Sequence, residues 1–209
     1  AERLAVREFF DEERLINILQ QSVGQLDYAH KKGIIHRDMK PNNIVIDCVD
    51  EKDIVYLIDF GIARFCEELT NTDRTNSGTP RYMAPEQISG SGIRDKTDYY
   101  GLGLSLIEAA IGKEQADKSY RKELVSTQNR TERIKAMKQS KILSDEFKQQ
   151  LEDLVDDSPE KRRIKTAAAT KTVMLTQIEA PTKTETIDDV VNLKPIEAPT
   201  LTKEAVRKK

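Results

Sequence analysis

Cysteine, surplus charge and long apolar runs are what this chain of 209 residues has little of. Cys48 and Cys66 are its only cysteines. They have neither C-x-x-C spacing nor a nearby histidine pair, which speaks against a zinc site or a disulfide framework. Two reduced thiols suit a cytosolic protein, so a cytoplasmic location is expected. The 34 basic residues nearly balance the 36 acidic ones, for a formal net charge of −2. Composition therefore gives no reason to expect nucleic acid or a strongly anionic partner. No apolar run approaches the ~20 residues needed to span a bilayer. There is no apolar h-region near the N-terminus, so no membrane segment or signal peptide is expected. The first residue is Ala1 rather than Met, and a start inside a longer protein is the favoured expectation.

What remains is long enough for one domain with a real core. Residues Asp11 to Lys32 read as a helix, with Leu15, Ile18, Leu19, Ser22, Val23, Leu26 and Ala29 at helical spacing and Gly33 as its stop. Ile34-Ile35 is a short bridge. Ile44-Val45-Ile46 and Ile54 to Ile58 are β-branched runs that read as strands, joined by a polar turn from Asp47 to Asp53. Arg64 to Gly78 reads as a loop. Lys96 to Ile111 is an apolar helix ended by Gly112, and Ser119 to Met137 and Ser144 to Val155 read as two more helices. Ser144-Asp145-Glu146 is an N-terminal cap for the last.

After about Lys165 threonine becomes frequent and aromatics vanish. Ile178-Glu179-Ala180-Pro181-Thr182 recurs as Ile196-Glu197-Ala198-Pro199-Thr200. Such a segment buries too little apolar area to offset its ordering entropy, and residues 166–209 are expected to be a disordered tail.

The chemistry sits in His36-Arg37-Asp38-Met39-Lys40-Pro41-Asn42-Asn43 and in Asp59-Phe60-Gly61. These match the kinase catalytic loop H-R-D-L-x-x-x-N, with Met39 in place of Leu, and the metal loop D-F-G. The chain resembles the eukaryotic-type Ser/Thr protein kinase family. The resemblance implies Asp38 as the base for a substrate hydroxyl and Lys40 as a cation on the transferred phosphoryl group. It implies Asn43 and Asp59 as oxygen ligands for Mg2+ bound with ATP. His36 is implied to be structural, packing on Phe60 of the Asp-Phe-Gly loop, which Gly61 ends. Val45 falls where the family has an apolar floor under the adenine, although an ordinary strand residue would fit as well.

Gly78-Thr79-Pro80-Arg81-Tyr82-Met83-Ala84-Pro85-Glu86 resembles the end of a Ser/Thr kinase activation segment. By that resemblance Thr79 contacts Asp38 and Lys40, and Glu86 forms a buried ion pair with Arg162 of Asp157-Ser158-Pro159-Glu160-Lys161-Arg162. Asp98 resembles the aspartate that braces the catalytic loop, with Tyr100 where Trp is commoner. Arg37 implies switching by phosphate on the loop, with Thr75 best placed to carry it. Asn42, where many basophilic relatives carry Glu, weakens the case for basic residues before the acceptor. Ala84-Pro85-Glu86-Gln87 leans toward bacterial members. In the tail, Thr186-Ile187-Asp188-Asp189 resembles the phosphothreonine sites read by forkhead-associated domains, which would make such a reader a partner alongside protein substrates.

The resemblance runs from about Asp11 to Arg162. No G-x-G-x-x-G and no V-A-I-K lysine is found in the sequence. The expected fold is α+β and mostly α: a kinase-like C-terminal lobe over 1–165, with short hairpins at the cleft, followed by the tail. The function implied is transfer of the ATP γ-phosphoryl group to protein Ser or Thr hydroxyls once an N-terminal lobe completes the site. A truncated, inactive lobe serving as a binding or regulatory module is the alternative, and a partial gene product without function of its own is a third.

Overall fold

Helix α1, Glu12–Lys31, starts where the Asp11 carboxylate accepts the backbone N–H of Arg14 at 2.8 Å. Glu12 and Glu13 follow in the first turn and His30 and Lys31 lie in the last, each sign at the end of the helix dipole that favours it. Gly33, at φ 75°, turns the chain out of the helix. The computed structural model describes residues 2–4, 10–60, 64–65, 79–119 and 126–164. Gly61, Cys66, Thr75 and the tail with Thr186 lie outside the described residues.

Strand β1 is Glu2–Arg3, β2 is Ile34–Ile35, β3 is Ile44–Val49, β4 is Lys52–Leu57 and β5 is Arg64–Phe65. An antiparallel sheet has the order β1-β3-β4, with Arg3 opposite Val45 and Val45 opposite Tyr56. The pair β2-β5 forms a second small antiparallel ladder. The turn is not Asp47 to Asp53 but only Asp50 and Glu51, at φ 49° and 62°; the ladder continues to Val49 opposite Lys52. Two successive left-handed residues are what a two-residue hairpin needs, here without the usual Gly or Asn. Arg64–Phe65 is a strand rather than loop, because it finds Ile34–Ile35 across the fold.

The outer edge of β4 is closed by side chains of α1. Gln21 donates to the carbonyl of Asp53 at 2.8 Å and accepts from the N–H of Val55 at 3.0 Å. One turn on, Gln25 donates to the carbonyl of Val55 at 2.8 Å and accepts from the N–H of Leu57 at 3.0 Å. The two carboxamides copy the pairing of a neighbouring strand. Arg14 adds an ion pair with Asp53.

The remaining elements are α2 (Pro85–Ser89), α3 (Asp95–Ile111), α4 (Lys113–Ser119), α5 (Ser126–Lys138) and α6 (Asp145–Leu154). Every residue of α3 from Thr97 to Ala110 is buried, so this helix is the axis on which α1, α5 and α6 pack. Two glycines let α3 approach its neighbours closely, Gly101 the β2–β3 connection and Gly103 the end of α6. A Cβ on Gly101 would stand 2.6 Å from the carbonyl oxygen of Met39, and one on Gly103 2.7 Å from Val155 Cγ1. Helix α6 opens on Ser144, whose hydroxyl accepts the N–H of Phe147 at 3.2 Å. Where one helix from Ser119 to Met137 was expected, Ser119 ends α4 and the described part of α5 starts at Ser126. The described residues are thus mostly helical with a small antiparallel sheet.

Candidate active site

The connection between β2 and β3 carries Asp38, and a buried carboxylate beneath it sets its path. Asp98, in the first turn of α3 and 1% exposed, accepts the backbone N–H groups of His36 and Arg37, both at 2.8 Å. His30 of α1 adds a contact to the same carboxylate at 2.7 Å. Arg37 takes φ 71°, a costly conformation for a residue with a Cβ. Asp98 on its N–H and the Gln87 carboxamide on its carbonyl, at 2.8 Å, hold it there.

His36 is fully buried. Its Nδ1 accepts the N–H of Asp38 at 3.3 Å, so the ring proton sits on Nε2, which donates to the carbonyl of Ile58 at 3.0 Å. The imidazole centroid lies 4.4 Å from that of Phe60. One histidine therefore ties the Asp38 loop to the end of β4. A second tie runs through Asn43, in the 3-10 turn Pro41–Asn43: its Nδ2 donates to the carbonyl of Asp38 at 2.8 Å, and its carbonyl accepts the N–H of Ile58 at 3.0 Å. Asp59 follows at φ 64°, exposed to solvent.

The Asp38 carboxylate is flanked on both oxygens. Oδ1 accepts the N–H of Thr79 at 2.9 Å and its hydroxyl at 3.1 Å. Oδ2 pairs with the ammonium of Lys40, which also donates to the Thr79 hydroxyl at 3.1 Å. Asp38, Lys40 and Thr79 form a closed triangle although Thr79 is 41 residues from Asp38. Val45 is half-buried on the sheet face that also carries Tyr56 and Val49, 46% and 44% exposed.

Beneath this sits an ion pair far apart in sequence. Arg162, 1% exposed, makes two parallel contacts to Glu86, at 2.6 and 2.8 Å. Thr97 donates to the same carboxylate at 2.9 Å, and the guanidinium also reaches the carbonyls of Lys96 and Asp156, at 2.9 and 2.8 Å. It stacks 4.8 Å above the Tyr100 ring, an electron-rich face for a cation.

His30, Glu108 and Arg133 belong to no motif of the sequence, and Arg81 and Gln87 appear there only as letters of motifs. His30 is the last-turn residue of an amphipathic helix, and nothing local marks it. Glu108 is the one acid past the first turn of the apolar helix, and an acid in that setting is the signal that a buried charge needing partners lies there.

The protein kinase domain model matches residues 1–174. The chain belongs to the protein kinase family. Over 102 residues it is 42% identical to a probable serine/threonine-protein kinase of Clostridium acetobutylicum, covering 48% of this chain and 15% of that protein. It is 42% identical over 101 residues to serine/threonine-protein kinase PknD of Mycobacterium tuberculosis, covering 47% and 15%. It is 40% identical over 100 residues to serine/threonine-protein kinase PrkC of Bacillus subtilis, again covering 47% and 15%. The chain thus matches only about a seventh of the length of these kinases. Among the described residues no helix is long and apolar enough to cross a membrane.

Proposed function

We propose that this chain carries the catalytic half of a Ser/Thr protein kinase, which moves the γ-phosphoryl group of ATP to a protein Ser or Thr hydroxyl when an N-terminal lobe completes the cleft. The observation that carries this reading is the Asp38 carboxylate fixed between Thr79 and Lys40, on the same loop that holds Asn43 and is tied to the strand leading to Asp59. Phosphoryl transfer needs positioning and charge neutralisation more than covalent chemistry. In this reading Asp38 accepts the proton of the acceptor hydroxyl. Thr79 keeps the carboxylate oriented, and Lys40 offsets charge on the transferred group. Val45 lies under the adenine, and Arg37 answers phosphate on Thr75.

The donors near the phosphates suit Mg2+. Asp59 offers an exposed carboxylate, and the Asn43 amide turns its nitrogen to the Asp38 carbonyl, which leaves its oxygen as the ligand atom. Both are hard oxygens, few in number, as suits an ion that keeps waters and phosphate oxygens in its shell. When bound, the ion neutralises charge on the phosphates. The chain's own part is to hold the two donors at a fixed separation through His36 and Asn43.

The test is metal-dependent nucleotide binding by the native protein, read by Mn2+ relaxation of ATP protons. Asp59→Asn is expected to abolish the Mn2+-dependent relaxation while the fold persists. Unchanged relaxation in that variant would remove Asp59 from the metal site.

A further inference from the structure

Thr79 can stand against Asp38 only if the segment that carries it is held in place. That segment is the 3-10 turn Pro80–Tyr82, which starts with the N–H of Tyr82 bonded to the carbonyl of Thr79 at 2.9 Å. Pro80 is exposed and Arg81 and Tyr82 are half-buried, with the Tyr82 side chain packed against the edge of the apolar core. Charge adds a second, directional grip. One oxygen of Glu108 accepts from Arg81 Nε at 3.2 Å, from an Arg81 terminal nitrogen at 3.0 Å and from the Tyr82 hydroxyl at 2.8 Å. The other terminal nitrogen of Arg81 reaches Asp117 of α4 at 2.5 Å. Arg133 of α5, 1% exposed, donates to the Arg81 carbonyl at 3.4 Å and lies 5.4 Å over the Tyr82 ring. Its guanidinium comes within 4.0 Å of Glu108.

Glu108 belongs to α3, the same rigid helix whose first turn holds Asp98 under the Asp38 loop. One element therefore sets both sides of the triangle: Asp98 fixes the loop of Asp38, and ten residues on, Glu108 fixes the turn of Thr79. Burial works against the charge on Arg81, yet Glu108, Tyr82 and Asp117 together push its pKa above the ordinary value.

We infer that Glu108 is a positioning residue for the Asp38–Thr79–Lys40 triangle, acting through Arg81 and Tyr82. The functional meaning of this inference rests on the reading of Asp38 as the base; its geometry does not. Glu108 touches no reacting group. Its charge gathers three donors from two residues that directly follow Thr79 and Pro80.

The experiment is amide hydrogen exchange followed residue by residue in Glu108→Gln, which keeps the shape of the side chain and removes its charge. Hydrogen bonds to a charged group carry the larger share of such a grip, so exchange at Thr79 and Tyr82 is expected to accelerate about tenfold. Exchange at Leu102 and Leu106, buried in α3, is expected to stay as it was. Unchanged exchange at Thr79 in a folded Glu108→Gln chain overturns the inference. So does equal acceleration at Thr79, Leu102 and Leu106, which is the mark of a general loss of stability. Should Glu108→Gln not fold, Tyr82→Phe removes a single donor and is expected to give a smaller acceleration confined to the same turn; none at Thr79 overturns the inference equally. Phosphoryl transfer by the native protein is measured beside it. Absence of transfer in the wild type refutes the kinase reading and leaves the exchange result to judge Glu108 by itself.

Discussion

Glu86 and Arg162 illustrate what a single buried charge demands. Each is nearly inaccessible, and the pair is satisfied by two direct contacts plus Thr97 and two carbonyls. Taking away one partner leaves a buried charge without compensation, so Arg162→Met is expected to cost about 3–5 kcal/mol. Urea unfolding measures this, and a loss under ~1 kcal/mol would show that the pair is not what holds α2 to the 3-10 turn Pro159–Lys161. Two phenols give a second prediction. Tyr82 is pushed well above its ordinary pKa by burial and then by Glu108, and Tyr99 by burial and then by its bond to Asp27. The folded state keeps protons that the unfolded chain releases near pH 10. Stability from these groups is therefore complete below about pH 10 and falls as the pH rises above it. The urea midpoint should drop between pH 9 and 11, and drop less in a Tyr82→Phe, Tyr99→Phe double variant; an equal drop in both would contradict this.

The elements show what sequence carries and what it leaves out. The helix from Asp11 to Lys32 was legible because period, cap and glycine stop agree, and the structure differs from it only at the cap and the last residue. The hairpin turn was misjudged because Asp50 and Glu51 are poor signals for two left-handed residues; the long ladder imposes that conformation on them. β5 was missed because its partner lies about 30 residues upstream, beyond any local pattern. Nothing local in the sequence marks Gln21 and Gln25, and only their meeting with β4 gives them a task. Replacing both by Ala removes four hydrogen bonds to β4. At about 1 kcal/mol net for such a bond, the double variant should lose at least ~2 kcal/mol. Exchange at the amides of Val55 and Leu57 should accelerate well above that of other strand amides. Protection left intact there would mean that the sheet holds its edge without α1.

At the scale of the molecule, the residues of the candidate site were legible as motifs because the phosphoryl transfer proposed for them allows few residue types, in a fixed order, on two short loops. What the motifs could not supply was the scaffold. His30, Gln87 and Glu108 come from three helices and act on the loops only through the fold. Helix α3 thus supports the Asp38 loop at one end and the Thr79 turn at the other, with His36 and Asn43 joining the loop to β4. Family membership follows from the matched domain; activity is what that assembly is proposed to deliver. The measurement that tests it most directly is transfer of labelled γ-phosphate from ATP to a protein acceptor by the native protein, wild type beside Asp38→Asn. Labelled Ser or Thr is expected with the wild type and none above background with the variant, while both retain the same urea midpoint. Label transferred equally by Asp38→Asn would contradict it.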